Sequence, residues 1–261
     1  MSLVIAKLLG LCTVQDFGRA GRMHEGLPPG GALVRSLLVR ANRAVQNPDD
    51  APAIEILGRM LVRATAPITV GVDGAARMLA IDDELLIESE PRRVTYLALR
   101  GGVDAPVILG SHSVHASAGL GAPLRAGATI AASAATPQSA PLAPFVDTEV
   151  IRVIAGPDSF PHAIAGPYKI SPTSDRVGTR LDGPRIERGD IVERTRPMVR
   201  GAIEVPRDGM PIVLGPEHPV TGGYPVIGVI AHDDLDKFFA IRLGGSVRFV
   251  SDSRVPAHPR A

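Results

Sequence analysis

Three segments of this sequence gather the side chains from which a binding or catalytic site could be built. The first, TVQDFGR at residues 13–19, follows an apolar run and leads into a glycine-proline loop, GLPPGG, at 26–31. Gln15 can read an amide through both its donor and its acceptor, and the guanidinium of Arg19 can clamp a carboxylate or a carbonyl. Asp16 either joins such a site or pairs with Arg19 in a structural turn. The second segment, SPTSDRVGTRLDG at 171–183, sets Ser174, Asp175 and Arg176 in a row, and Gly178 then allows close backbone approach. If the stretch is extended, Arg176 and Arg180 share one face. Two guanidiniums on one face need an anion, supplied by a ligand or by a protein carboxylate such as Glu204. The third, PIVLGPEHPVTGGYPVIGVI at 211–230, reads as a hairpin whose buried strands deliver Glu217, His218 and Thr221 to a Gly222-Gly223 tip, with Tyr224 on the return. Glu217 and His218 suit an acid/base pair, and a rigid tip suits binding; a plain hairpin tip is the alternative.

Other chemistry finds less support. There is no GxxxxGK(S/T) loop and no complete GxGxxG opening a helix; the nearest approach, GLGAPLRAG at 119–127, runs into proline and turn residues. A nucleotide site would have to be unconventional, shared, or located in a partner. His112 and His115 are three apart, a useful metal spacing only on a helix, and VILGSHSVHAS reads as strand and turn. His232-Asp233-Asp234 reads as the start of a helix, where carboxylates favour the dipole. No GxSxG elbow occurs, and the single cysteine, Cys12, excludes an internal disulfide and reads as core.

The elements that must position these residues are mostly strands. Short apolar runs bounded by Gly, Pro or Asp occur as AIEIL at 53–57, ITVGV at 68–72, LLIES at 85–89, VTYLAL at 94–99 and PVILG at 106–110. EVIRVIAG, DIVERT, AIEVP, PIVLG, PVIGVIA and SVRFV repeat this character in the second half. One helix is expected over ALVRSLLVRANRAV, with Leu33, Leu37, Leu38 and Ala41 on a common face and Asn47-Pro48 ending it; a short one is expected at 235–240. Small residues and prolines over 131–148 read as a linker between domains at 1–130 and 149–261. The fold class is therefore mainly β with few helices. Of the 261 residues, 45% are apolar but only 3% aromatic, which predicts aliphatic cores and argues against base-stacking platforms. A net charge of +1 with dispersed Lys and Arg gives no nucleic-acid stripe. No stretch is long and apolar enough for a membrane span. The N-terminal run lacks a basic n-region and is broken by Lys7, so a cytoplasmic protein is expected.

In order along the chain, TVQDFGR, GLPPGGA, the ANR and NPDDAPAIEI run, LRGGVDAPVILGS, SPTSDRVGTRLDG, GAIEVPRDGMPIVLG and HPVTGGYPVIGVI resemble one family. It is the family called allophanate hydrolase subunit 2, KipI antagonist or the 5-oxoprolinase C subunit. The similarity spans nearly the whole chain, and it is the shared order that carries it. The resemblance implies two cyclophilin-like β-barrel domains, similar to the carboxyltransferase domain of biotin-dependent urea carboxylase. It implies work with a KipI-like B-type subunit and an A-type subunit in the ATP-dependent opening of 5-oxoproline to glutamate, with ATP bound by the complex. The roles suggested are charge stabilisation by Arg176 or Arg180, orientation of the lactam by Gln15 and Asp16, and proton transfer by Glu217 or His218. Arg19, Ser174, Asp175, Thr221 and Tyr224 complete the substrate contacts. Two other functions stay open. One is a biotin-dependent carboxyl-transfer module acting on urea or a related amide, whose biotinyl carrier would come in trans. The other is a non-enzymatic KipI-binding regulator. The chain departs from the family at Leu33-Val34, where Met-Asp is usual, and at His112, where an arginine is frequent.

Overall fold

The structure, a computed structural model, describes all residues except 135, 159–163, 165, 189–192 and 253–261. The chain divides into two compact units, Met1–Gly21 with Pro29–Phe145 and Arg22–Pro28 with Val146–Ala261. Residues 131–145, expected as part of a linker, belong to the first unit. Arg43 donates to the Pro141 carbonyl at 2.5 Å, the Gln138 amide donates to the Gln46 carbonyl at 2.7 Å, and Arg92 stacks over Phe145. Scattered backbone and side-chain bonds hold this stretch against the unit beyond Ser133 without a continuous ladder, so it carries no hydrophobic period.

In the first unit β1 (Ser2–Gln15), β2 (Ala53–Ala64), β3 (Ile68–Val72), β4 (Ala75–Leu79), β5 (Glu84–Glu88), β6 (Thr95–Leu99) and β7 (Thr129–Ala131) form one sheet. Its order is β4-β3-β6-β2-β1-β7, with β5 added to β2. β1 and β2 pair antiparallel along almost their whole length, with a register shift between Ile5 and Lys7 that exchanges which alternate residues face inward. Leu3 and Ile5 before the shift, and Cys12 and Val14 after it, enter the same core as Ile54, Ile56, Met60 and Leu97. The helix α1 (Arg35–Ala44) buries Leu37, Leu38 and Ala41, as its spacing predicts. It ends at Ala44, three residues before the expected stop. Beyond it Asn47 donates to Asn42 Oδ1 and to the Leu99 carbonyl, tying the helix end to β6.

In the second unit β8 (Val150–Ala155), β9 (Pro167–Ile170), β10 (Gly178–Asp182), β12 (Ala202–Glu204), β13 (Ile212–Leu214), β15 (Val226–Ile230) and β16 (Ser246–Ser251) close a barrel in the order β10-β13-β12-β15-β8-β16-β9. β11 (Arg196–Pro197) and β14 (Thr221–Gly222) pair as a separate two-stranded ribbon, and α2 (Leu235–Ala240) precedes β16. The chain has few aromatics, yet this core concentrates them. Tyr168, Phe238 and Phe249 pack with ring centroids 6.1–6.3 Å apart, and Phe239 meets Phe238 edge-on at 5.1 Å. In the first unit Tyr96 is the buried aromatic among aliphatic side chains.

Among the described residues the fold is mainly β with two α-helices, none long and apolar enough to cross a membrane. Three expectations change. The run at 106–110 is a loop, with Leu109 at a positive φ of 53° and Val107 62% exposed. The run at 211–230 is no hairpin, because β12 lies between β13 and β15 in the barrel. Asp234 does not cap α2 with its side chain; its carboxylate receives Arg152 and Lys237, which hold it well below the ordinary carboxylate value. The expected DIVERT strand falls partly outside the described residues.

Candidate functional site

The turn at the end of β1 is a clamp. Asp16 Oδ1 accepts hydrogen bonds from the Gly18 amide (2.8 Å) and from the hydroxyls of Ser111 and Ser113 (2.5 Å each), while Oδ2 accepts the His112 amide at 2.7 Å. From the other side Arg19, 2% exposed, donates through Nε to the Ile108 carbonyl (2.9 Å) and through Nη2 to the Ser113 carbonyl (2.5 Å). A carboxylate takes the donors of loop 108–113 and a guanidinium takes its acceptors. The backbone groups that a strand ladder would have satisfied are satisfied by side chains. Gly18 makes the turn feasible: at φ 86°, a Cβ there would lie 2.3 Å from the Pro29 carbonyl oxygen. Residues 29–32 are thereby laid against the turn, with the Arg19 amide bonded to Pro29 and the Ala32 amide to Asp16.

Three of the expected site residues have partners within the protein here. Arg19 does clamp carbonyls, but they are the protein's own. Asp16 has both carboxylate oxygens engaged by internal donors and acts as a positioning residue. Gln15 is fully buried, its Nε2 donating to Thr13 Oγ1 and the Val114 carbonyl, so it orients loop backbone from inside.

In the second unit Arg176 and Glu217 form an ion pair at 2.5 Å with both side chains at most 8% exposed. The backbone repeats the link, since the Glu217 amide donates to the Arg176 carbonyl and the Gly215 amide to Val177. Arg180 does not share a face with Arg176. The chain turns at 174–177 and β10 begins only at Gly178, so Arg176 is buried and Arg180 points to solvent. Ser174 and Asp175 build that turn. Asp175 Oδ1 accepts the amides of Val177 and Gly178, and Ser174 Oγ bonds to the backbone of Arg180. Their side-chain groups are engaged locally. Thr221 and Tyr224 are exposed around Gly222 and Gly223.

His218 is 2% exposed, and its Nδ1 donates to the Pro219 carbonyl at 2.8 Å. That bond sets the tautomer, leaving the Nε2 lone pair free in the neutral ring. Burial holds the imidazole below its ordinary pKa; the Pro219 bond opposes this, and the nearby Arg200 charge adds to it. His218 is thus a neutral base at physiological pH, next in sequence to a buried carboxylate.

Two buried acids lie outside the expected site residues. Glu55, opposite Thr13 and Tyr96 across β1-β2-β6, accepts the Tyr96 hydroxyl (2.6 Å) and the Leu33 amide (2.7 Å). It anchors the backbone at Leu33. Its position in an alternating strand gives no sign that both sheet faces are covered. Glu204, 5% exposed at the end of β12, leaves Oε1 without a hydrogen-bond partner among the described residues, and burial raises its pKa. Gly222 lies against it: a Cβ there would fall 2.8 Å from that oxygen and 2.6 Å from Met198 Cε. The two-residue strand at Gly222 is therefore closed over a carboxyl group whose charged form burial disfavours.

A clamped turn feeding a small sheet, and a closed barrel carrying a buried Arg-Glu-His group, define a two-unit β protein of the carboxyltransferase-domain type. The sequence matches the family described as carboxyltransferase domain, subdomain A and B, over residues 25–95 and 90–251, and the chain belongs to that family. The 5-oxoprolinase C subunit of Escherichia coli is 31% identical, the alignment covering 92% of this chain and 88% of that protein. The crystal structure of TTHA0988 superposes with a TM-score of 0.85 at 25% identity, covering 96% of this chain and 55% of that one. The K. lactis urea amidolyase gives a TM-score of 0.86 at 25% identity, covering 97% of this chain and 19% of that one. The chain thus spans most of the bacterial protein, about half of TTHA0988 and about a fifth of the amidolyase.

Proposed function

We propose that this chain is the C subunit of an ATP-dependent 5-oxoprolinase, which opens the lactam of 5-oxoproline to glutamate in a cytoplasmic complex with a KipI-like B-type subunit and an A-type subunit. The observation that carries this reading is the 31% identity to a protein of that name across 88% of its length. ATP supplies phosphorylation of the lactam oxygen, which converts a poor electrophile into one that water can attack. The sequence carries no P-loop, and we assign ATP binding to the assembled complex. In the second unit, His218 Nε2 takes the proton of the attacking water and returns it to the ring nitrogen as the C–N bond breaks; the γ-glutamyl phosphate that results is hydrolysed by a second water to glutamate and phosphate. Arg176 and Glu217 hold the His218 loop in place. Arg180, exposed and without an ion pair among the described residues, is a cation that can meet an anionic group.

A second reading, biotin-dependent carboxyl transfer to urea or a similar amide, draws on the likeness to urea amidolyase. Co-purifying the chain with its KipI-like partner and the A-type subunit, and measuring phosphate release, separates the readings. ATP hydrolysis stimulated by 5-oxoproline and lost in His218→Ala is the expected result. Biotin-dependent turnover of urea would replace it with carboxyl transfer. A stable complex without substrate-stimulated turnover would leave a regulator that binds the KipI-like protein.

A further inference from the structure

The barrel of the second unit lays an exposed cation, an apolar side chain and a buried acid in one row. Across β10, β13 and β12 the register pairs Arg180 with Ile212 and Ile212 with Glu204. Residues directly opposite in an antiparallel ladder share a face. These three therefore lie on the face away from the buried Thr179, Val213 and Ile203, the neighbouring row of the same strands. Two strand spacings separate its ends, about 10 Å between Cα atoms. Exposure falls along it: Arg180 is exposed, Ile212 half-buried and Glu204 only 5% exposed. Gly222 of β14 covers the acid, since a Cβ there would come within 2.8 Å of Glu204 Oε1. The cover is thin. β14 is two residues long, and a Cβ at the next position, Gly223, would meet no atom within 4 Å.

Both ends of the row are chemically unmatched. Neither side chain makes a hydrogen bond or an ion pair among the described residues. The charged side chain on the covering ribbon does not serve them, because Arg196, opposite Gly222, is paired with Asp158 at 2.6 Å. Burial disfavours the charged form of Glu204. Protonated, a carboxyl group donates, and the match for it is a neutral oxygen. The match for Arg180 is an anion, best a carboxylate.

We propose that this row binds a small cyclic carboxylate that also carries a carbonyl. The carboxylate meets Arg180, ring methylenes lie on Ile212, and the carbonyl accepts from Glu204. The proposal rests on the 5-oxoprolinase reading and names where this chain holds the ring. In 5-oxoproline the carboxylate-bearing carbon and the carbonyl carbon flank the ring nitrogen, with two methylenes on the opposite edge. Seating those methylenes on Ile212 turns the two oxygen groups toward the two ends of the row and leaves the ring N–H directed outward. The loop carrying His218 runs from β13, the middle strand of the row, to β14, which covers Glu204, so ring and base belong to one unit. Urea has neither a carboxylate for Arg180 nor a methylene for Ile212.

The test titrates the full chain while NMR follows the isotope-labelled Ile212 methyl groups. Three probes are compared: 5-oxoproline, 2-pyrrolidinone, which lacks the carboxylate, and cyclopentanecarboxylate, which lacks the amide. 5-Oxoproline should bind most tightly and shift the Ile212 signal. Arg180→Met should weaken 5-oxoproline and cyclopentanecarboxylate roughly tenfold and leave 2-pyrrolidinone unchanged. Glu204→Met should weaken 5-oxoproline and 2-pyrrolidinone roughly two- to tenfold and leave cyclopentanecarboxylate unchanged. Glu204→Gln keeps a donor in place and should bind all three probes as the wild type does. An unmoved Ile212 signal, equal weakening of all three probes in either methionine variant, or a loss in Glu204→Gln as large as in Glu204→Met would overturn the proposal. In the assembled complex, Arg180→Met should raise KM for 5-oxoproline with little change in kcat. Turnover with an unchanged KM in that variant sinks the row and spares the enzyme reading. The expected binding pattern without any turnover does the reverse.

Discussion

Replacing Asp16 by alanine removes the acceptor that four donors share. The two serine hydroxyls can rotate to other partners, but the amides of Gly18 and His112 cannot. A buried amide left bare costs about 1–3 kcal/mol, and because both amides are only partly buried the lower part of that range applies, giving a loss of roughly 2–4 kcal/mol. Asparagine keeps one oxygen but turns an NH₂ toward one of the two amides, so Asp16→Asn should lose about half as much. The damage is local, and amide hydrogen exchange reads it better than global unfolding does. With a tenfold change per 1.4 kcal/mol, exchange across residues 108–115 should accelerate roughly 30- to 700-fold in Asp16→Ala. Amides of β2 around Ile54–Ile56 should hold their protection. Unchanged protection of 108–115 in the alanine variant would refute the clamp.

Other consequences follow from the buried charges. Glu217→Ala or Arg176→Ala strands a buried partner and should cost about 3–5 kcal/mol in urea unfolding, whereas Arg176→Met combined with Glu217→Leu should recover much of that loss. Glu204 has a folded-state pKa above its unfolded value, so its stabilising share is complete below the ordinary carboxylate range and is lost as pH rises through the folded pKa. Glu204→Gln should therefore raise the urea midpoint at pH 7.5 relative to wild type and lose that advantage at pH 4; a gap independent of pH would contradict it. Burial, with the Glu55 charge behind it, pushes the Cys12 thiol up to about 12. Iodoacetamide at pH 8 should leave the folded chain unmodified over a time in which the urea-unfolded chain reacts fully.

The local signals in this chain are readable without a structure. The spacing of Leu37, Leu38 and Ala41 marks α1, the run at 68–72 is β3 to the residue, and the stretch at 235–240 is α2. Each depends on contacts a few residues apart or on an alternation that one buried face imposes. The family, too, is carried by motif order. What misleads is backbone that side chains from elsewhere complete. Residues 106–110 are as apolar as a strand, but the Ile108 carbonyl goes to Arg19, 89 positions away, and the donors just beyond the run, on Ser111, His112 and Ser113, go to Asp16. The same distance hides the roles within TVQDFGR, where types alone do not tell a ligand clamp from a loop clamp. Arg176 and Arg180 have the right spacing for one face only if the strand starts early enough. The Asp175 turn delays it, and one guanidinium is buried while the other is exposed. Residue identity determined which groups could form strong hydrogen bonds and charges. Only the closure of distant segments decided which of them meet one another and which remain for a ligand, because burial and partnership depend on neighbours far away along the chain.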